Sequence, residues 1–479
     1  MTKSRWSGAA VAEVMGAEVH GIAPDAVTGV SIDSRTLEPG DAFFAIRGDN
    51  HDGHDFVAGA LVNGAAVGVI AADRLAELSA AQPLFVVPDV LKALEALARE
   101  VRSGSRARIV AVTGSVGKTG TKEMLRHMLE RQGETHAARA SFNNHWGVPL
   151  TLARLPPDAA YGVFEIGMNH TGEITPLAKM VHPHVAIVTT VEAVHVANFP
   201  SVEAIADAKA EIFFGLEKGG VAVLNRENRF FERLRMHARA AGARIASFGL
   251  DEASDARLMS LQTSAEGSRI EASIDGIDLV YRLAAPGKHL AMNSLAALIA
   301  IKRLGGDVER AALALADFHA PKGRGERIAL TVGNGEAVLY DESYNANPAS
   351  MRAALDLLAL APVGEGGRRI AVMGDMLELG PKADEMHREL ADSVAACGVD
   401  LVYAAGPHMK ALFDALPEAA RGRWSASSAE LTAPLASALR AGDAVMVKGS
   451  FGSRMGPIVD ALGQRFAAGD GGRADGRDE

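Results

Sequence analysis

The sequence contains a single cysteine, Cys397, and lacks long uninterrupted apolar runs. One thiol excludes an intrachain disulfide, and this fits a reducing compartment. No window of roughly 18 residues is apolar throughout, so we expect no membrane insertion. The N-terminal segment MTKSRWSGAAVAEVMG also lacks the continuous apolar stretch of a secretory signal peptide. We therefore expect a cytoplasmic protein.

The chain also lacks excess positive charge, since 49 basic residues face 59 acidic ones and the net charge is −10. This balance disfavours general binding to nucleic acid or to membrane surfaces. Anionic ligands would therefore need local binding sites. The 479 residues predict about two to four domains. Nothing in the sequence indicates an obligate oligomer, so we expect a monomer.

Short apolar runs alternate with helical patterns along most of the chain, which predicts an α/β fold. Punctuation by glycine and proline divides it into regions 1–85, 86–318 and 319–466. The polar, glycine-rich segment 467–479 is predicted to be a disordered tail. No internal repeat is present.

The predicted elements follow from these patterns. The first region has apolar runs at 65–70 and 84–87, and a helix at 90–102 follows them. The second region has predicted strands at 108–113, 161–166, 185–191, 221–224 and 244–248. A hairpin (269–274 and 277–283) surrounds Asp275-Gly276, and a helix at 289–304 follows. The third region has predicted strands at 337–341, 369–373, 401–404 and 444–447, which predict another doubly wound unit.

A phosphate site is predicted in RIVAVTGSVGKTGTKEM at 108–124, which reads as buried strand, glycine-rich loop and helix. Glycines let the backbone wrap a phosphate, and the helix N-terminus presents free N–H groups. Lys118 would reach the β- and γ-phosphates, and the Thr119 hydroxyl would bind Mg²⁺. Val112 stands where the full phosphate-loop pattern has glycine, so a glycine turn without a nucleotide is the alternative. The candidate ATP-binding residues of the loop are Gly114, Ser115, Val116, Gly117, Lys118, Thr119 and Gly120.

Three further residues have two interpretations each. Glu165 ends an apolar strand and could hold Mg²⁺, or it could be an exposed glutamate. His195 follows the next strand, but a lone histidine is more often structural and magnesium prefers oxygen. Lys209 lies in a helical pattern whose ordinary interpretation is a solvated face. Residue chemistry alone does not assign a function to any of the three.

Together these segments resemble the Mur ligase family, through TGSVGKTGTKE, FEIGMNHTGEI, TTVEAVH and AKAEIF in that order. The resemblance implies a small α/β UDP-binding N-terminal domain, a central phosphate-loop ATPase domain with a mostly parallel sheet, and a Rossmann-like C-terminal domain. It implies that Glu165 and His195 are Mg²⁺ ligands. It also implies that Lys209 is carbamylated, which would help to hold a second Mg²⁺.

Further segments extend the resemblance. KHLAMNSLAAL implies that His289 and Asn293 lie near the adenine, and KGRGER gives Arg324 a catalytic role toward a phosphate or acyl phosphate. DESYNANPASM implies that Asp341 touches the nucleotide across a domain interface. VSIDSRTLEPGDAFFAIRG and DGHDF resemble a UDP-sugar-peptide domain, although turn chemistry is the alternative there. The implied substrate-side residues are Ser31, Asp33, Ser34, Arg35, Asn143, Asn144, Asn345 and Asn347.

In the third region, DESYNANPASM, AVMGDMLELG and VKGS resemble one branch of the family. That branch joins D-alanyl-D-alanine to UDP-N-acetylmuramoyl-tripeptide with ATP, through an acyl phosphate. The alternatives are the ligase that adds the third residue, a folate polyglutamate ligase, a phosphate-loop switch or motor, and a relative without catalysis. Whether the third peptide residue is diaminopimelate or lysine stays open.

Overall fold

The computed structural model describes residues 6–48, 51–138, 141–194 and 196–467. These residues form three sheets with helices packed on them, which confirms the predicted α/β class. No helix within the described ranges combines the length and the apolar character needed to cross a membrane. Two predictions, for His195 and for most of the tail (468–479), fall outside the described residues.

The first sheet has five strands in the order β1-β5-β4-β3-β2, and β1 is antiparallel to its neighbour. The strands are β1 (Glu18–His20), β2 (Gly29–Ser31), β3 (Asp41–Phe44), β4 (Val67–Ala71) and β5 (Leu84–Val87). The helices are α1 (Gly8–Met15), α2 (Val57–Val62), α3 (Leu75–Leu78) and α4 (Val90–Gly104). The sequence predicted β5 and α4 closely and β4 with a small shift. It did not predict β1 to β3.

The middle sheet has nine strands in the order β14-β13-β12-β11-β10-β9-β6-β8-β7. The strands are β6 (Arg108–Thr113), β7 (Thr135–Ala137), β8 (Tyr161–Glu165), β9 (Val185–Val188), β10 (Val221–Asn225), β11 (Arg244–Gly249), β12 (Ala256–Ser264), β13 (Gly267–Ile274) and β14 (Ile277–Leu283). The helices are α5 (Lys118–Glu130), α6 (Gly147–Ala153), α7 (Ile174–Val181), α8 (Val202–Ala210), α9 (Phe231–Ala240), α10 (Lys288–Arg303) and α11 (Val308–Ala314).

This sheet is parallel from β7 to β12, and β12, β13 and β14 form an antiparallel meander. The predicted hairpin is confirmed, and its turn residues Asp275 and Gly276 have φ of 53° and 79°. The prediction for 185–191 was too long, because β9 ends at Val188. The chain then leaves the sheet to cross the phosphate loop.

The third sheet has six strands in the order β15-β16-β20-β17-β18-β19, and all pairs except β15–β16 are parallel. The strands are β15 (Glu326–Val332), β16 (Gly335–Glu342), β17 (Arg369–Gly374), β18 (Leu401–Ala405), β19 (Arg421–Ser425) and β20 (Ala444–Lys448). The helices are α12 (Pro348–Leu360), α13 (Ala383–Arg388), α14 (Leu390–Ala396), α15 (Met409–Ala415), α16 (Thr432–Ala438) and α17 (Gly456–Arg465). The sequence did not predict β15 and β19, whose exposed positions include Arg327, Thr331, Arg421 and Arg423.

Contacts between the regions hold the first and middle sheets together. One apolar core runs from α1 and α4 into the middle sheet, where Leu94 and Ile109 are both fully buried. Arg154, just after α6, donates from Nε to the carbonyl of Val30 at 2.7 Å, which fixes β2 beside the middle region. The carboxyl ends of parallel strands are where open α/β sheets bind ligands.

Candidate active site

The phosphate loop connects β6 to α5 as the sequence predicted, and two of its glycines are required by space and by conformation. Gly114 and Gly117 have φ of 152° and 88°. A Cβ at Gly114 would lie 1.9 Å from Thr189 Oγ1, and one at Gly117 would lie 2.9 Å from the Asn293 amide nitrogen. The free N–H groups at the start of α5 therefore border the loop, which suits an anion.

Lys118 lies inside this loop, where its Nζ donates to the Gly114 carbonyl at 2.8 Å. The pKa of Lys118 lies below its ordinary value, chiefly because protein atoms surround the ammonium. The charge of Glu165 opposes this shift, and that of Arg324 adds to it. A cation that is already desolvated interacts strongly with a phosphate, because little water must be displaced.

Glu165 ends β8 with only 2% of its surface exposed, so the alternative of an exposed glutamate is wrong. The Thr119 hydroxyl donates to Glu165 Oε2 at 2.8 Å. Asn143 donates from Nδ2 to Oε1 at 2.7 Å, so this predicted substrate-side residue orients the carboxylate. The hydroxyl and carboxylate oxygens fit Mg²⁺. Within the described part of the chain, no group of three or more histidine, cysteine or acidic residues is arranged so that it could hold a metal ion.

Lys209 lies in the last turn of α8 and is 2% exposed, so the alternative of a solvated face is wrong. Burial lowers the pKa of Lys209 well below the ordinary 10.5, and the charge of Lys118 lowers it further. Among the described residues, none donates or accepts a hydrogen bond at its Nζ. Within those ranges the amine is therefore buried without a hydrogen-bonding partner, close enough to Lys118 for that charge to lower its pKa.

Ser115 joins the phosphate loop to the segment that follows β9. Its N–H donates to the carbonyl of Thr190 at 2.8 Å. Its hydroxyl donates to the carbonyl of Glu192 at 3.1 Å and accepts from the Glu192 N–H at 2.9 Å. Thr189 donates its hydroxyl to the Val116 carbonyl at 2.6 Å. The segment that leads to His195 is thus locked onto the loop.

Two asparagines that the sequence analysis missed hold this segment from the other side. Asn225, at the end of β10, donates to the Thr189 carbonyl at 3.1 Å. Asn228 donates to Thr190 Oγ1 at 2.9 Å and to the Val191 carbonyl at 3.0 Å. The sequence could have indicated both asparagines, because polar residues that follow an apolar parallel strand lie at the edge of the sheet where ligands bind.

Arg324 spans the cleft between the middle and third regions. Its guanidinium donates to Ser141 Oγ at 3.3 Å and lies 4.1 Å from the centre of the Tyr344 ring. The Asp341 carboxylate is fully buried and accepts from the Gly323 N–H at 2.9 Å and from the Ser343 hydroxyl at 2.6 Å. Asp341 therefore shapes the turn that presents Arg324, and its predicted contact with the nucleotide stays a prediction.

The predicted adenine-side residues lie on the first turns of α10. His289 is exposed in the cleft, yet the crowding protein atoms lower its pKa, while the charge of Glu342 opposes that shift. Lys448, whose charge also lowers the pKa of His289, is only 3% exposed. Its Nζ donates to Glu342 Oε2 at 3.2 Å and to the Asn345 carbonyl at 3.0 Å. Asn293 borders the phosphate loop at Gly117.

The other predicted substrate-side asparagines have structural contacts. Asn347 caps α12 by accepting from the Ser350 N–H at 2.9 Å. Asn345 accepts from the Ala346 N–H at 2.8 Å, and Asn144 accepts from the Gly147 N–H at 2.9 Å. These bonds explain the residue types without a ligand, and substrate contact by their remaining atoms stays a prediction.

The candidate UDP residues form a turn after β2. The Ser31 hydroxyl donates to the Asp33 carbonyl at 3.1 Å. Arg35 donates from Nε and Nη2 to the two Asp33 oxygens at 2.9 and 2.7 Å, and the same guanidinium lowers the pKa of Asp33. Ser34 offers its carbonyl to Asn63 at 3.5 Å. The turn chemistry is thus present, and the role of this turn in binding UDP stays a prediction.

Three family descriptions match the chain along most of its length. They are "Mur ligase family, catalytic domain" at 26–102, "Mur ligase middle domain" at 112–301 and "Mur ligase, glutamate ligase domain" at 323–451. The chain is 32% identical to a Rickettsia prowazekii protein over 432 residues, covering 90% of this chain and 94% of that one. The chain belongs to the Mur ligase family.

Within the family, several relatives of this chain share one name. The Rickettsia protein and an Escherichia coli protein are both named UDP-N-acetylmuramoyl-tripeptide–D-alanyl-D-alanine ligase, and the latter is 34% identical over 84% of this chain and 86% of its own. MurF from Acinetobacter baumannii superposes with a TM-score of 0.83 at 29% identity, covering 96% and 99% of the two chains. A Thermotoga maritima MurF ligase in complex with ADP superposes with a TM-score of 0.75 at 25% identity, covering 91% of this chain and 98% of that one.

Proposed function

We propose that the protein is an ATP-dependent ligase of peptidoglycan precursor synthesis. It joins D-alanyl-D-alanine to UDP-N-acetylmuramoyl-tripeptide and forms UDP-N-acetylmuramoyl-pentapeptide, ADP and phosphate. The observation that carries this proposal is that Lys118, Thr119 and Glu165 lie together at the phosphate loop. The chain is also similar over 90% of its length to a UDP-N-acetylmuramoyl-tripeptide–D-alanyl-D-alanine ligase. ATP and nucleotide-linked precursors are cytoplasmic metabolites, so we place the reaction there.

We assign one substrate to each region. UDP-muramyl-tripeptide would bind region 1–85 through Ser31, Asp33, Ser34 and Arg35, and ATP would bind region 86–318. Region 319–466 would close over both and bring Asp341, Asn345 and Asn347 toward the cleft. Arg324 supports this arrangement, because it already contacts the middle region at Ser141.

The oxygen-rich pocket between Thr119 and Glu165 fits Mg²⁺, and we propose His195 as a further ligand on the strength of the family resemblance. When bound, the ion would supply positive charge beside the ATP phosphates. Asn143 keeps the Glu165 carboxylate turned toward Thr119. This orientation exists in the protein alone, so the pocket is preorganised.

We propose that Lys209 carries a carbamate. Addition of CO₂ to an amine requires the neutral form, and burial beside Lys118 favours that form. The carbamate would convert a buried amine into an anion next to Lys118. It would then help to hold a second Mg²⁺.

The reaction needs the chain to bring together groups that repel one another. The tripeptide carboxylate attacks the γ-phosphorus of ATP, the bond to the bridging oxygen breaks, and an acyl phosphate forms. The dipeptide amine then attacks the acyl carbon, loses a proton, and phosphate leaves with the C–O bond electrons. Lys118, Arg324 and the loop N–H groups offset the negative charge, and positioning contributes much of the remainder. Closure of the cleft would shield the acyl phosphate from water.

Phosphate release, measured with and without D-alanyl-D-alanine in the presence of defined UDP-muramyl peptides, tests this function. A ligase releases phosphate in proportion to the dipeptide, and mass spectrometry detects the pentapeptide. A switch or motor would hydrolyse ATP without the dipeptide, and an inactive relative would release no phosphate. A tripeptide or folate ligase would consume a different acceptor.

A further inference from the structure

Three apolar side chains lie at the carboxyl edge of the third sheet and have no role in the chemistry described above. Tyr344 follows β16, Leu377 follows β17 and Phe451 follows β20. These strands are parallel neighbours in the order β16-β20-β17, so their ends gather at one place. Phe451 is 76% exposed and Leu377 is 42% exposed. Large apolar side chains exposed together mark binding surfaces.

These neighbouring side chains are here called the apolar patch (Tyr344, Leu377 and Phe451). The rings of Tyr344 and Phe451 have centroids 5.9 Å apart and are inclined at 50°. Leu377 lies against Gly452, where an added Cβ would come within 2.7 Å of Leu377 Cδ1. A glycine at this position thus lets Leu377 approach the Phe451 loop.

Hydrogen bonds hold the patch on a fixed backbone. The Leu377 N–H donates to Ser450 Oγ at 2.9 Å. The Ser450 N–H donates to the Asp375 carbonyl at 3.0 Å, and the Ser453 hydroxyl donates to the same carbonyl at 2.8 Å. The loops after β17 and β20 therefore interlock. Exposed side chains on a rigid base lose little freedom when a ligand binds.

The patch lies beside the reacting groups. Arg324 stacks on the Tyr344 ring and reaches Ser141 of the middle region. The Leu377 loop also meets the middle region, where the Ala197 N–H donates to the Glu378 carbonyl at 3.5 Å. A ligand on the patch would therefore sit in the cleft next to the phosphate loop.

We propose that the apolar patch binds the two methyl groups of D-alanyl-D-alanine and selects this dipeptide; the inference rests on the proposed function. The dipeptide amine must stay free to attack, so recognition uses the peptide bond, the terminal carboxylate and the two methyl groups, of which the methyl groups are the apolar part. Two methyl groups suit a small, flat apolar surface. Arg454 is exposed, lies three residues beyond Phe451, and forms no ion pair among the described residues, so it offers positive charge for the carboxylate.

Steady-state kinetics of Phe451→Ala and Leu377→Ala in the full chain test the proposal. Each variant loses methyl contacts, so the KM for D-alanyl-D-alanine rises roughly tenfold. The KM values for ATP and for the UDP-tripeptide stay unchanged, and the preference for D-alanyl-D-alanine over glycyl-glycine falls. Phe451→Leu keeps apolar surface and retains most of that preference. Leu360→Ala is the matched control, because Leu360 is 45% exposed at the end of α12 in the same region.

Each other result overturns the inference. An unchanged dipeptide KM in both variants removes the patch from the dipeptide site. A rise in the KM for the UDP-tripeptide alone assigns the patch to the other substrate. The two proposals fail separately: a wild-type chain that does not ligate the dipeptide refutes the function, whereas normal ligation with unaffected variants refutes the subsite alone.

Discussion

The hydroxyl of Thr119 donates to Glu165 Oε2 at 2.8 Å, which joins the first turn of α5 to the end of β8. Asn143 donates to the other carboxylate oxygen at 2.7 Å. The carboxylate thus has one orientation, set by a residue from each side. Without Asn143, the Glu165 carboxylate would keep its charge but would be free to rotate away from the phosphate loop.

This arrangement predicts that Asn143→Ala raises the Mg²⁺ concentration needed for half-maximal ligation, by roughly tenfold to a hundredfold. Glu165→Gln, which removes the charge itself, has a larger effect. Titration of activity with Mg²⁺ at saturating ATP measures both. Asn63→Ala, a change to an amide in the first region, is the control. Equal Mg²⁺ requirements in the Asn143 variant and the wild type would contradict the orienting role.

Lys118→Ala is predicted to lower kcat by at least a hundredfold, because a desolvated cation beside the phosphates is lost. Its ammonium donates only to the Gly114 carbonyl among the described groups, so the loop keeps its backbone bonds. Pentapeptide formation followed by mass spectrometry gives the rate, and thermal unfolding checks the fold. Lys218→Ala removes an exposed lysine from the same region and leaves activity unchanged. Normal pentapeptide synthesis by Lys118→Ala would refute the proposed function.

Lys209→Met is predicted to stabilise the fold while it lowers activity. The pKa of Lys209 in the folded chain lies well below 10.5, so the unfolded chain binds this proton more tightly. Lys209 therefore destabilises the fold at about pH 7, and this penalty falls as the pH rises. Methionine fills the same space without charge. In bicarbonate-free buffer, the unfolding midpoint of Lys209→Met should exceed that of the wild type, by more at neutral than at alkaline pH.

Chemical rescue tests the carbamate on the same residue. Lys209→Ala leaves a space next to Lys118, and a short-chain carboxylate could supply the missing anion. Activity of this variant is expected to recover partly with such carboxylates, and wild-type activity is expected to rise with bicarbonate. The effect of bicarbonate should weaken as the pH falls, because protonation removes the reactive amine. An unaffected Lys209→Ala variant would refute the assignment.

The sequence predicted the elements whose signal is local. The strand, loop and helix around Lys118 follow from an apolar run and glycines, and the Asp275-Gly276 turn follows from backbone conformations that these residues favour. Burial is not local, so the environments of Glu165 and Lys209 could not be read from their neighbours in sequence. Strands β15 and β19 were missed because half-exposed edge strands carry polar residues that resemble loops.

Closure of the three regions is a prediction from the chemistry, since three substrates must meet at one acyl carbon. The radius of gyration from small-angle scattering is expected to fall when an ATP analogue and the UDP-tripeptide are both present. Either ligand alone should give a smaller change, because each binds a different region. An unchanged radius with both ligands would count against closure.

Asn228 is predicted to position the segment that leads to His195. Asn228 is 9% exposed, and its amide nitrogen donates hydrogen bonds to Thr190 Oγ1 and to the Val191 carbonyl. Thr190 in turn accepts from the Ser115 N–H of the phosphate loop at 2.8 Å. In Asn228→Asp a carboxylate oxygen would face the Val191 carbonyl, which can only accept, so the segment would shift away from the loop.

The expected result for Asn228→Asp is a kcat lowered roughly tenfold to a hundredfold and a raised KM for ATP, with the dipeptide KM unchanged. Ser247→Ala serves as the control, because it removes another buried hydrogen bond, 2.9 Å from Ser247 Oγ to Asp255, on the neighbouring strand β11 of the same sheet. Both variants should lose stability, and only Asn228→Asp should change the ATP kinetics. If both variants lost the same stability and both kept wild-type kinetics, Asn228 would have a structural role only.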